Sequence, residues 1–334
     1  MNSLTIILPS NRPENLCAWF SRHHDVLSRL SNAIALQIVV VVDGYFNLDQ
    51  SDKLNIDILQ MPGCNVAERL IMALEVSVGK FVMLSADDDT LMSMAVRDLN
   101  LIRGEVAGIV PETFFQYDGA ETIHPANTNQ LNCESCLSSE RLSAYFTPIF
   151  PGDNSVCYGI YERGIFTRAA VEQFGNRSWD FIGNDWLLVC RILLKGKIIR
   201  TGNLKVIRHM TCWAKTMSAS NDMILFEKSY DFLGTLPMYP LLIFGHYLLE
   251  ANSIENVVDL LKNWNAIKHE QYLRFFGHGT PIYDRADLDL LFESTRLVQT
   301  AQGPVIRVNE FVAEYFSAKR RCYMSFSKAL SSAI

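Results

Sequence analysis

Through the first two thirds of the chain, short, mostly apolar runs alternate with stretches whose apolar residues recur every three or four positions. The runs at 4–8, 35–42, 56–59 and 81–84 are too short for helices and predict buried strands. Residues 14–30 carry Leu16, Trp19, Phe20, Val26, Leu27 and Leu30 at helical spacing, and 66–78 form a second amphipathic helix stopped by Gly79. A further helix is predicted over 91–102 and a strand over 108–110. Residues 113–151 are polar and turn-rich, predicting a long loop or small insertion. Beyond an apolar, aromatic segment at 156–166, the pattern predicts helices over 167–174 and 185–194, then strands over 197–201 and 204–207. From about residue 221 it turns helical, over 223–232, 239–251, 254–263, 286–299 and 308–326. Strand–helix alternation implies an α/β fold, a sheet of parallel strands with both faces covered. The change of pattern divides the chain into an α/β domain, 1–222, and a helical C-terminal region, 223–334.

Polar residues interrupt this pattern at telling places. The apolar run ending at Leu84 leads into Ser85-Ala86-Asp87-Asp88-Asp89. Three carboxylates at a strand end cannot be core, because unpaired buried charge is too unfavourable. They need water or a cation, and hard oxygen ligands suit Mg²⁺ or Mn²⁺. The plainer alternative is a solvated turn capping a helix. Asn11 and Asp43 also lie at predicted carboxyl ends of strands, and in α/β sheets ligands bind beyond those ends. Three polar turns therefore converge on one edge.

The 334-residue length and 49% apolar content allow a substantial core. A net charge of −6 argues against a nucleic-acid partner. The start runs into a strand without a basic signal-peptide region, and no uncharged apolar run reaches 18 residues. Both point to a cytoplasmic protein. The eight cysteines are scattered, which suits reduced thiols; Cys133-Glu134-Ser135-Cys136 has no second ligand pair to complete a zinc site.

Several segments together resemble family 2-like nucleotide-sugar glycosyltransferases of the GT-A fold. They are Leu4 through Pro9-Ser10-Asn11-Arg12-Pro13, Val39 through Asp43-Gly44, and the stretch from Asn65 and Arg69 to Gly79-Lys80-Phe81-Val82. Asp87-Asp88-Asp89 fits the D-x-D pattern, and Gly183-Asn184-Asp185-Trp186, with Arg191 and Gly196-Lys197, resembles the segment bearing the catalytic carboxylate. The match spans roughly residues 3–215, with Asn184-Asp185 where the family often has two acids.

The resemblance implies a GT-A, Rossmann-like sheet and an inverting, metal-dependent transferase. A sugar would pass from a nucleoside-diphosphate donor, UDP-linked, to a glycan or lipid-linked acceptor in polysaccharide biosynthesis. Asp87 and Asp89 would hold Mn²⁺ or Mg²⁺, with His209 as a third ligand. Pro9, Asn11, Arg12, Asp43, Arg69, Asp87 and Asp88 would line the donor site, Arg12 toward the diphosphate and Asp43 toward the base or ribose. Asp185 would be the general base for the acceptor hydroxyl; a plain helix cap is the alternative. Arg208 could reach the diphosphate, and Tyr161 could touch the sugar or be a packed strand residue. The tail, with Lys319-Arg320-Arg321 among aromatic residues, could lie peripherally on the inner face of a membrane or pack on the protein.

Two other readings share these residues. A nucleotidyltransferase would use a similar sheet and carboxylates, but the turn after the first strand lacks the glycines such enzymes carry. A non-catalytic nucleotide-sugar-binding partner subunit is the other, kept open by Asn184.

Overall fold

The computed structural model describes residues 2–10, 12–47, 54–116, 122–126, 133–145, 155–174, 184–209, 290, 295–300 and 303–308. The chain divides into two compact units, Met1–Tyr145 with Asp153–Ala219, and Phe146–Gly152 with Ser220–Ile334.

In the first unit, strands β1 (Ser3–Ser10), β2 (Ala35–Val42), β3 (Asn55–Gln60) and β4 (Phe81–Leu84) form a parallel block in the order β3-β2-β1-β4. Ile38 through Val42 are all buried, as expected of strands covered on both faces. Helix α1 (Pro13–Ala33) starts with proline in its first turn and buries Leu16, Trp19, His23, Val26, Leu27 and Leu30 along one stripe. Helix α2 (Val66–Val76) begins with a capping box: Asn65 Oδ1 accepts from the Glu68 N–H, and Glu68 Oε2 accepts from the Asn65 N–H.

Beyond β4 the sheet is mixed rather than parallel throughout. β8 (Ile160–Glu162) pairs antiparallel with both β4 and β6 (Val106–Gln116), and β6 pairs parallel with β9 (Lys197–His209). β5 (Thr90–Ser93) closes the order antiparallel to β9, and β7 (Ile123–Pro125) pairs with β6. Helices α3 (Ser138–Tyr145), α4 (Arg163–Phe174) and α5 (Asn184–Lys195) complete this unit among the described residues.

Four local expectations change. The stretch 113–151, expected as a loop or small insertion, holds the end of β6, β7 and α3 among its described residues. The helix expected over 91–102 is strand β5 followed by a 3₁₀ segment, Val96–Leu101, because pairing with β9 claims residues 90–93. The two strands expected at 197–207 are one strand, passing Gly202 at φ +70°. In the second unit, residues expected in a helix over 286–299 include β10 (Thr295–Thr300), which pairs antiparallel with β11 (Gly303–Val308). Gly303-Pro304 disfavours a continuing helix. The expected helices over 223–232, 239–251 and 254–263, and the basic tail, lie outside the described residues. No described helix is long and apolar enough to cross a membrane.

The parallel block is tied by a polar network at its amino-terminal end. Gln37 Oε1 accepts from Thr5 Oγ1 at 2.7 Å and from the Val78 N–H at 2.9 Å, while Gln37 Nε2 donates to Asp57 Oδ2 and the Val76 carbonyl. Every polar group of this nearly buried side chain is thereby satisfied.

Candidate functional site

Strand register builds the site. Ser10 pairs with Val42, and Ile7 pairs with Leu84, so the turns after β2 and β4 reach the end of β1 together. At that offset Asp87 comes level with Ser10, and the Ser10 hydroxyl donates to Asp87 Oδ2 at 2.5 Å. The Asp43 N–H donates to the Ser10 carbonyl at 3.0 Å.

Arginines join these strand ends. Arg12 Nε donates to Asp87 Oδ2 at 3.3 Å, and its Nη2 reaches both Asp87 Oδ1 and Asp88 Oδ2, the latter at 2.9 Å. Burial works to lower the Arg12 pKa, but the two carboxylates outweigh it and hold it above the ordinary value. Arg69 is buried and donates to Asp43 Oδ2 at 3.1 Å, to the Ser10 carbonyl at 3.1 Å and twice to the Cys64 carbonyl. A continuous chain of contacts therefore runs Asp43–Arg69–Ser10–Asp87–Arg12–Asp88. From α1, Trp19 Nε1 donates to Ser85 Oγ at 3.1 Å and Arg22 Nη2 to the Asp87 carbonyl at 3.1 Å, fixing the acidic turn from behind.

Asp89 leads into β5, whose pairing with β9 brings up the end of that strand. Arg208 Nε stands 3.5 Å from Asp89 Oδ2, with its guanidinium 5.1 Å from the centre of the Tyr158 ring. His209 Nε2 lies 3.0 Å from Thr90 Oγ1.

A divalent cation at Asp87, Asp89 and His209 can be tested against this geometry. Both Asp87 oxygens accept from Ser10 or Arg12, a guanidinium stands beside Asp89, and His209 contacts Thr90. Among the described residues no group of three His, Cys, Asp or Glu side chains is placed to hold a metal ion. As they stand, these side chains do not fit one; they present carboxylates already neutralised by arginine.

The remaining sequence candidates fall as follows. Pro9 lies within β1, in register with Val41. Asn11 lies outside the described residues. Asp185 occupies the first turn of α5, and only its backbone is described. Tyr161 is fully buried, donates its hydroxyl to the Val156 carbonyl and stacks on Phe166, so it is a packed strand residue. Burial raises its hydroxyl pKa well above the usual value. Cys133 is buried, which pushes its thiol up to about 12 and makes it an inert core group.

Sequence reasoning missed Ser10 as the link between Asp43 and Asp87, and Arg22 as the support of the acidic turn. The one available signal for Ser10 was its place beside Asn11 in the turn motif; its contact with Asp87 depends on register.

No protein-family model matches the chain. No curated protein matches it either. Among solved structures it is similar to residues 1–349 of TarS from S. aureus, at 13% identity and a TM-score of 0.45, covering 93% of this chain and 97% of that one. The same protein in complex with UDP-GlcNAc gives 14% identity, a TM-score of 0.45 and the same coverage. The mannosyltransferase PcManGT from Pyrobaculum calidifontis, in complex with GDP-Man and Mn²⁺, gives 12% identity and a TM-score of 0.43 over 83% of this chain and 76% of that one. Likeness at this level assigns no activity to the chain.

Proposed function

We propose that this protein is a glycosyltransferase that moves a sugar from a nucleoside-diphosphate donor, UDP-linked, to a glycan or lipid-linked acceptor in polysaccharide assembly, with inversion. The observation that carries this reading is the unbroken chain of contacts from Asp43 to Asp88 along the carboxyl edge of the parallel block. Such an edge is where α/β sheets bind nucleotides.

Each residue has a distinct task in this proposal. Asp43, steadied by Arg69 and by the Gly63 N–H at 3.0 Å, presents a carboxylate to the base or ribose. Arg12, 27% exposed in its side chain, can exchange Asp87 for the donor's diphosphate, where a guanidinium fork suits phosphate oxygens. Arg208 stands on the other side of the acidic turn and adds positive charge as the diphosphate departs. Asp185, in the first turn of α5, takes the acceptor hydroxyl's proton as that oxygen attacks the anomeric carbon. The resemblance also brings Mn²⁺ or Mg²⁺; at Asp87 such an ion would have to displace Arg12.

The test is thermal-shift screening of the protein with nucleotide sugars, with and without Mn²⁺, followed by donor turnover. A native-state ligand raises the melting temperature by mass action. One nucleotide sugar should shift the transition and be slowly hydrolysed; Asp185→Asn should keep the shift and lose about 99% or more of turnover, in line with general-base effects of 10²–10⁴. Binding without turnover would favour the non-catalytic partner subunit. No shift with any nucleotide would sink the donor-site reading.

A further inference from the structure

A second polar site lies at the opposite edge of the parallel block. Seven residue steps along β1, roughly 23 Å at about 3.3 Å per step, separate Ser10 from Ser3. Beside Ser3, a cavity of about 580 Å³ opens between the start of β1, the start of β4 and the first turns of α4. Lys80, Arg163 and Arg168 line it, with Glu162, Ser3 and Thr167. Pairing explains the convergence: Leu4 is in register with Phe81, and Phe81 with Glu162, so Lys80 and Arg163 adjoin the same rung.

None of Lys80, Arg163 and Arg168 makes an ion pair with a described residue, whereas eight other arginines and lysines of this unit do. Three cations against the single carboxylate of Glu162 leave two positive charges around the cavity. Glu162 Oε2 is engaged by the Ile165 N–H at 2.7 Å, and the Arg163 N–H donates to the Lys80 carbonyl at 3.0 Å. The helix start is therefore capped by the protein, and what faces the cavity is side-chain chemistry. Arg163 Nε and Thr167 Oγ1 are shielded from the cavity, so the charge it meets comes from the outer parts of Lys80, Arg163 and Arg168.

We propose that this cavity binds a phosphate group. The donors on offer, two guanidinium groups and an ammonium, suit a ligand rich in acceptor oxygens. A phosphate monoester carries nearly two negative charges at neutral pH, matching the local excess, and guanidinium groups grip its oxygens in pairs. A simple carboxylate would offer too few oxygens for these donors. The site is independent of the proposed donor site, which lies at the other end of the strands.

The probe is inorganic phosphate, followed by isothermal titration calorimetry on the wild-type chain and on Arg163→Gln, Arg168→Gln and the control Arg97→Gln, an exposed arginine outside both sites. Wild-type protein should bind saturably, and Arg97→Gln should bind as tightly. Arg163→Gln should weaken binding roughly ten-fold or more, the scale of losing one charge-assisted hydrogen bond. Arg168→Gln, at an exposed position, should weaken it several-fold and keeps the test valid if the other variant misfolds. Flotation with phosphatidylcholine vesicles containing phosphatidic acid tells a lipid headgroup from a soluble phosphate: arginine-dependent binding to either source supports the site. The proposal is overturned if neither source binds, or if both cavity variants bind like wild type.

Discussion

Arg12 and a divalent cation would compete for the same oxygens of Asp87. Its guanidinium contacts both of them and reaches Asp88 as well, so the acidic turn carries its own cation. Arg12→Ala should therefore bind Mn²⁺ more tightly than wild type, by roughly ten-fold or more now that its charge-assisted contacts to Asp87 and Asp88 are removed. Electron paramagnetic resonance of free Mn²⁺ reads this directly, with Asp87→Asn as the variant in which binding should vanish. Equal Mn²⁺ affinity in wild type and Arg12→Ala would mean that the guanidinium does not occupy a metal position. At this scale the sequence exposes which residues reach the carboxyl edge, because acids directly after an apolar run can only lie at its end. It does not expose their pairings. Arg69 reads as a donor-facing cation, yet its guanidinium faces inward onto Asp43 and two backbone carbonyls. Ser10 reads as a turn residue, yet it bridges two strand ends. Both facts follow from register between strands well apart in the sequence, which local patterning does not encode.

Secondary elements are legible where local and long-range forces agree. β2 and β4 begin and end where their apolar runs do, and α1 and α2 follow the 3.6-residue stripe with proline, capping and glycine marks at their ends. Residues 91–93 and 295–299 read as helix because their apolar spacing is ambiguous over so few positions, and strand pairing decides them. Gly79 shows how close such elements pack. A β-carbon there would sit 2.5 Å from the Thr5 nitrogen and 2.7 Å from the Phe81 carbonyl oxygen, both backbone atoms of adjacent strands. Neither can give way without parting β1 from β4. Gly79→Ala should cost about 3 kcal/mol of stability, the upper part of the range for overpacking a tight interior. Urea unfolding measures it, and a loss below about 0.5 kcal/mol, an ordinary surface value, would show that the strands can shift to accommodate a methyl group.

For the folded unit as a whole, acid stability hangs on a group that plays no part in the proposed chemistry. His23 is fully buried on α1, stacked on Trp19 with ring centres 4.1 Å apart. Its Nε2 accepts from the Leu91 N–H at 2.8 Å, which leaves Nδ1 to donate to the Trp19 carbonyl at 2.6 Å. That pair of bonds fixes the neutral imidazole and ties α1 to β5, the element that leads on from the acidic turn. Burial lowers the His23 pKa to about 4, against the opposing pull of the Trp19 carbonyl and with help from the Arg22 charge. Above pH 6.5 the ring is neutral in folded and unfolded chains alike, so its full contribution is present. As pH falls from about 6.5 toward 4, only the unfolded chain takes up the proton, and stability drops by about 3 kcal/mol in total. Below about 4 both states are protonated and this loss stops growing. Urea unfolding of wild type and His23→Gln across that range isolates the effect, because glutamine keeps a donor and an acceptor but does not titrate. The wild-type advantage should shrink steadily between pH 6.5 and 4; parallel curves would assign the acid sensitivity of this fold to other groups. Because the ring in the folded chain stays neutral down to about pH 4, its link from α1 to the turn bearing Asp87 holds over that interval, so donor affinity of the folded wild type and of the variant should run parallel there.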